Sequence, residues 1–124
     1  DFGVEEMFKK AQRLAEAVRI SFKEAGFELL SSSPSNGVTA VISPVDSVRL
    51  VKLLREKYGV SIAGGQESLK GKIFRIAHMG YIDEQELLLA LYHLETALRE
   101  MGFDISKGKL LSKFSEVAYA GVNK

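Results

Sequence analysis

The chain has 124 residues, the size of one domain with a real core but short for an enzyme that must also enclose a cofactor. Hydrophobic residues make up 46% and charged residues 27%, an ordinary globular composition that excludes a disordered or membrane-spanning class. Its 17 basic and 16 acidic side chains are interleaved, leaving no electrostatic footprint for nucleic acid or anionic lipid, and the lack of cysteine excludes disulfides, thiolate metal sites and a cysteine nucleophile.

No signal-peptide pattern opens the chain and no apolar run reaches membrane-spanning length, so a cytoplasmic protein with no membrane partner is expected. The start at Asp1, with an amphipathic pattern following almost at once, reads as a piece of a longer protein.

From Val4 to Ala25, Val4, Met7, Phe8, Ala11, Leu14, Ala15, Val18 and Phe22 recur at helical spacing with charges on the other face, and Gly26 stands at the cap. Phe27 to Leu30 reads as a short strand, and Ser31–Gly37 as a loop rich in serine, proline, asparagine and glycine. Val38 to Ser43 is apolar and uncharged on both alternating faces, the pattern of a central strand covered on both sides.

Pro44 ends that strand. Asp46 or Ser47 caps a helix with the stripe Leu50, Val51, Leu54 and Tyr58, which Gly59 stops. A short strand, Val60 to Ala63, leads into the loop Gly64–Gly71 and then into a strand beginning at Lys72. Asp83 and Glu86 have capping-box spacing ahead of a helix striped by Leu87, Leu91, Leu94, Leu98 and Met101. A final helix is expected from Leu110 to Tyr119 through Leu111, Phe114 and Val117. The order predicts an α+β fold, with a small three- or four-stranded, mostly antiparallel sheet and helices packed on one face.

The strand Lys72-Ile73-Phe74-Arg75-Ile76-Ala77-His78-Met79-Gly80 carries the oddest residue. Alternation puts Phe74, Ile76 and His78 on one face and Ile73, Arg75 and Ala77 on the other. A guanidinium inside an apolar strand needs an anion, water or an open face, and helices over Phe74 and Ile76 leave Arg75 pointing away from the core. An exposed apolar sheet face around it marks an interface.

The other chemistry-bearing residues have structural explanations. His78 and His93 lack paired ligand spacing, so no metal site is expected. Asp83 and Glu86 are explained as caps, and Lys70, Lys72, Lys107, Lys109 and Lys113 as solvated charges, Lys70 and Lys72 adding at most a favourable potential for an acidic ligand. The Gly64-Gly65-Gln66 loop fails the strand-turn-helix test for nucleotide binding because no helix is expected directly after it, and Gln66 stands where it can reach a ligand.

Four segments together carry a resemblance: Gly37-Val38-Thr39-Ala40-Val41, the helix from Leu50 to Val60, Ile62-Ala63-Gly64-Gly65-Gln66, and Lys70 to Gly80. In order and spacing the chain resembles the C-terminal small domain of the class V aminotransferases, pyridoxal-phosphate enzymes of the alanine-glyoxylate and serine-pyruvate type. The match runs from the first helix to about Met101, and the tail after Gly102 is less recognisable.

The resemblance implies that Arg75 binds the α-carboxylate of an amino-acid or 2-oxo-acid substrate, for which a planar guanidinium supplies paired hydrogen bonds and orientation that lysine lacks. It implies that residues 1–124 form one small domain whose partner is a large pyridoxal-phosphate-binding domain carrying the Schiff-base lysine. It also implies a full-length homodimer, and a fragment that binds no cofactor and is inactive alone. Positioning the substrate's Cα–H bond against the cofactor ring is the part such a domain plays. The rival expectations are a noncatalytic amino-acid-binding or interaction module of ferredoxin-like topology, and a structural domain whose Arg75 pairs with an internal acid.

Overall fold

The computed structural model describes residues 2–30, 38–77 and 84–119. Among them, helix α1 (Phe2–Glu24) buries Leu14, Ala15, Val18 and Phe22 of the expected stripe, with Ala17 buried beside them. The chain then turns Phe27 back into the core, where its ring meets Phe22 edge-on at 5.1 Å and Phe103 at 5.6 Å. The strand expected over Phe27–Leu30 shrinks to one bridge, Leu29 against Val41, held by Leu30 N–H to the Ala40 carbonyl (3.0 Å) and Ile42 N–H to the Glu28 carbonyl (2.8 Å).

Strands β1 (Val38–Ile42), β2 (Ala63–Gly64) and β3 (Ile73–Ala77) form an antiparallel sheet in the order β1-β3-β2. The expected strand over Val60–Ala63 is therefore displaced and reduced to two residues. The expectation that the β1 segment is covered on both faces is corrected. Thr39 and Val41 are buried at 1% and 0% exposure, whereas Val38 and Ile42 on the other face are exposed at 40% and 37%. An uncharged strand is compatible with one bare face, and hydrophobicity alone does not say how many faces are covered.

Helix α2 (Ser47–Leu53) begins at Asp46, whose side chain accepts from the Val48 N–H, and continues into a π turn (Leu54–Tyr58). Gly59 ends it at φ 69°, a left-handed conformation that glycine adopts without a Cβ penalty. The wider turn carries Tyr58 and Lys57 to helix α3 (Glu84–Glu100), where the Tyr58 hydroxyl (2.9 Å) and Lys57 Nζ (2.6 Å) both donate to Glu100 Oε1. That carboxylate, bonded by Lys57 and Tyr58, sits below the usual carboxylate range, and Lys57 and Tyr58 are raised by the same contact.

Helix α4 (Lys109–Ala118) buries Leu110, Phe114 and Ala118. Its N-terminus has no local side-chain cap, because Gly108 occupies the cap position. Glu95 of α3, fully buried, substitutes from a distance: it accepts from the N–H groups of Gly108 (2.7 Å), Leu110 (2.6 Å) and Leu111 (3.3 Å).

All four helices share one core with Val41, Phe74 and Ile76. The helices therefore cover one face of the sheet, as the sequence predicts, and the Arg75 face is turned away from them. His78 and Asp83 lie outside the described residues, so the expected cap at Asp83 does too.

Candidate functional site

Arg75 occupies the middle of the central strand. Ala40 of β1 and Ala63 of β2 are its register partners on either side, so the three side chains share the outer face. Two alanines flanking an arginine leave the long side chain room that larger neighbours would fill. Val38, Ser61, Ile62, Ala63 and Arg75 line a shallow depression of about 390 Å³ there.

Half-buried, Arg75 donates from Nε to the Gly64 carbonyl at 3.0 Å. Among the described residues no carboxylate is within salt-bridge distance of it; the ion pairs lie elsewhere, at Glu84, Glu95, Glu100 and Glu116. The expectation of an internal acid partner thus fails among these residues. The bond to a neutral carbonyl orients the guanidinium without neutralising it, so its charge stays available to an anion.

The loop from Gly64 to Gly71 bends over one end of this face. Ile73 points outward by alternation yet is only 3% exposed, and the loop accounts for it: a Cβ on Gly65 would run into the Leu69 carbonyl oxygen and lie 2.8 Å from Ile73 Cγ1. Contrary to the expectation of no helix after Gly64-Gly65-Gln66, a single 3₁₀ turn (Glu67–Leu69) follows directly, with Glu67 at φ 54°. One such turn is too short to provide a helix-dipole anion site. Gln66 is exposed at the start of that turn, next to the glycine whose neighbour holds Arg75.

Lys70 and Lys72 are exposed, as expected of solvated loop charges. His93 is half-buried and stacks on Tyr58 with ring centroids 5.1 Å apart, in keeping with a structural role. Glu86 is exposed in the first turn of α3. No group of three or more metal-ligating side chains occurs among the described residues. Nor is any described helix long and apolar enough to cross a membrane.

Sequence reasoning reached Arg75 but missed Ala40, Ala63 and the Gly64 carbonyl as its surroundings. Alternation gives the face of one strand; the partners on that face depend on register, which no single strand encodes.

The chain matches no family model. It is 37% identical over 109 residues to an uncharacterised aminotransferase of Methanocaldococcus jannaschii, a match covering 85% of this chain and 28% of that protein. It is 36% identical over 104 residues to a protein named as the small subunit of a soluble hydrogenase from Synechococcus, covering 82% and 27%. A serine–glyoxylate aminotransferase of Hyphomicrobium methylovorum is 32% identical over 111 residues, covering 86% and 27%.

Among solved structures, the ureidoglycine–glyoxylate aminotransferase of Bacillus subtilis superposes with a TM-score of 0.81 at 28% identity, over 94% of this chain and 30% of that one. The pyridoxamine–pyruvate aminotransferase of Mesorhizobium loti gives 0.79 at 28%, over 96% and 31%. Both superpositions extend beyond the stretch ending at Met101, so α4 belongs to the shared fold.

By fold and sequence, then, this chain is homologous to aminotransferases, and what it shares with them is a segment of just over a quarter of their length. The named kin are of the serine–glyoxylate, ureidoglycine–glyoxylate and pyridoxamine–pyruvate kinds, the class V type to which the motifs pointed.

Proposed function

We propose that residues 1–124 are the C-terminal small domain of a pyridoxal-phosphate aminotransferase and that Arg75 binds the carboxylate of its amino-acid and 2-oxo-acid substrates. The observation that carries this reading is a guanidinium on the uncovered face of the central strand, with no acid beside it among the described residues. A carboxylate presented to that face meets a fixed, planar donor, which sets the orientation of the atoms attached to it.

The described residues do not fit a pyridoxal-phosphate cradle. Lys70 and Lys72 are exposed, and the depression beside Arg75 is lined by Val38, Ser61, Ile62 and Ala63. The cofactor therefore belongs to a large partner domain, where it supplies the carriage of the amino group. In this reading that domain lies over the open face bearing Val38, Ile42 and Arg75, whose exposed apolar side chains suit an interface, and the whole enzyme is a homodimer as the family resemblance implies. Gln66, exposed beside the glycine pair, adds a polar contact to the substrate.

The test is an amino-transfer assay of the whole enzyme loaded with pyridoxal phosphate, using a panel of amino acids with glyoxylate or pyruvate as acceptor. The expected result is stoichiometric appearance of the donor's 2-oxo acid, with the 124-residue chain alone inactive and silent toward amino acids in calorimetry. Amino-acid binding by the chain alone, with no transfer by the whole protein, would establish instead the amino-acid-binding module.

A further inference from the structure

Arginine can offer a carboxylate two different edges. The side edge uses Nε–H with one Nη–H, and the end edge uses one N–H from each Nη atom. In this chain Nε is already committed at 3.0 Å to the Gly64 carbonyl, and Gly64 is the end of β2, which runs beside β3 through the pairs Ala63–Arg75 and Gly64–Phe74. Only the end edge remains.

What holds that carbonyl in place is the tight return of the following loop. A Cβ at Gly65 would collide with the Leu69 carbonyl oxygen and fall 2.7 Å from its carbon and 2.8 Å from Ile73 Cγ1, so the chain closes here only without a side chain. The return is tied by Leu69 N–H to the Gln66 carbonyl (3.0 Å), Lys70 N–H to Glu67 (3.1 Å) and Lys72 N–H to Leu69 (3.0 Å). Ile73, packed beneath this loop at 3% exposure, anchors it to the same strand that carries Arg75.

We infer that Gly65 is a positioning residue: by letting the loop close on Leu69 and Ile73 it fixes the Gly64 carbonyl on Arg75 Nε, so that a substrate acid is held end-on by the two Nη atoms. The inference rests on the proposed role of Arg75 and specifies the geometry of that role. An end-on grip leaves Nε–H bonded to the protein whether or not substrate is bound. Substitution at Gly65 loosens the guanidinium while leaving its charge in place.

The experiment uses the whole enzyme loaded with pyridoxal phosphate and compares Arg75→Ala, Gly65→Ala and the same-loop control Ser68→Ala, an exposed position. Gly65→Ala is expected to raise KM for amino donor and 2-oxo acid together by about tenfold with kcat little changed, and Ser68→Ala to stay within about twofold of wild type. In parallel, the wild-type enzyme with ¹⁵N-labelled arginine is titrated with pyruvate. The expected spectrum keeps the Arg75 Nε–H resonance slow to exchange and nearly unmoved, while the Nη resonances shift and sharpen.

Should Arg75→Ala leave KM unchanged, the proposed function itself fails. Should Arg75→Ala raise KM while Gly65→Ala behaves like Ser68→Ala, or should Nε–H be the resonance that pyruvate shifts, the function stands and the end-on geometry is overturned. If Gly65→Ala does not fold, the wild-type titration decides.

Discussion

Glu95 accepts hydrogen bonds from three backbone N–H groups at the start of α4 while fully buried in α3, with Arg99 Nη1 3.7 Å from Oε2, the oxygen that takes the Gly108 N–H. A helix whose own cap is Gly108 has no other side chain to satisfy those donors. Glu95→Ala is therefore expected to cost about 3 kcal/mol in chemical denaturation, and Glu95→Gln, which keeps an acceptor oxygen, roughly half of that. An alanine variant within about 0.5 kcal/mol of wild type would show that α4 docks by packing alone. The sequence held a hint of this residue. Glu95 stands beside Leu94 and one turn from Leu91 and Leu98, on the stripe that turned out to be core, but which buried donors it serves depends on where α4 lands.

At the scale of elements, the amphipathic periods of α1, α2 and α3 were legible because each helix has one buried face and the 3.6-residue repeat records it. The π turn at the end of α2 was not, since one widened turn leaves the same stripe of Leu50, Leu54 and Tyr58. Nor was the burial of Ile73, which depends on a loop closing over it rather than on its own alternation. Besides the core they share, α1 and α3 are joined by a polar link. Arg13 Nη2 donates to Glu84 Oε1 at 2.8 Å and Lys10 Nζ lies 3.5 Å from Oε2.

Partial burial opposes the charged form of Glu84. Its own backbone N–H, the Arg13 hydrogen bond and the nearby Lys10 outweigh that and hold its carboxyl below the usual range. A depressed folded-state value means the link stabilises fully above about pH 4.3, where an unfolded glutamate ionises, and is lost as pH falls through the lower folded value. The stability gap between wild type and Glu84→Gln, measured by denaturation across that range, should shrink on acidification. A gap that is constant with pH would mean the carboxylate charge contributes nothing to joining the two helices.

For the molecule as a whole, the helices and the core account for one face of the sheet, and the other carries Val38, Ala40, Ile42, Ala63 and Arg75. A protein folding only for itself gains nothing from a charged side chain among small apolar neighbours on an uncovered strand. On the proposed function, this face is half of a site whose other half is supplied by a second domain. The sequence located this residue and its face through the break in an apolar strand. It could not supply the two alanines beside it, because their adjacency is a property of the register.

The measurement that bears most directly on this account is Arg75→Lys, read in two ways. In the whole enzyme with pyridoxal phosphate, KM for both amino donor and 2-oxo acid should rise roughly 100-fold, because lysine keeps a charge and loses the planar paired donors. In the 124-residue chain the thermal midpoint should move by no more than about 3 °C, since the substitution gives up one hydrogen bond to the Gly64 carbonyl and no ion pair among the described residues. An unchanged KM together with a midpoint lowered by about 10 °C or more would contradict the account and make Arg75 a structural residue.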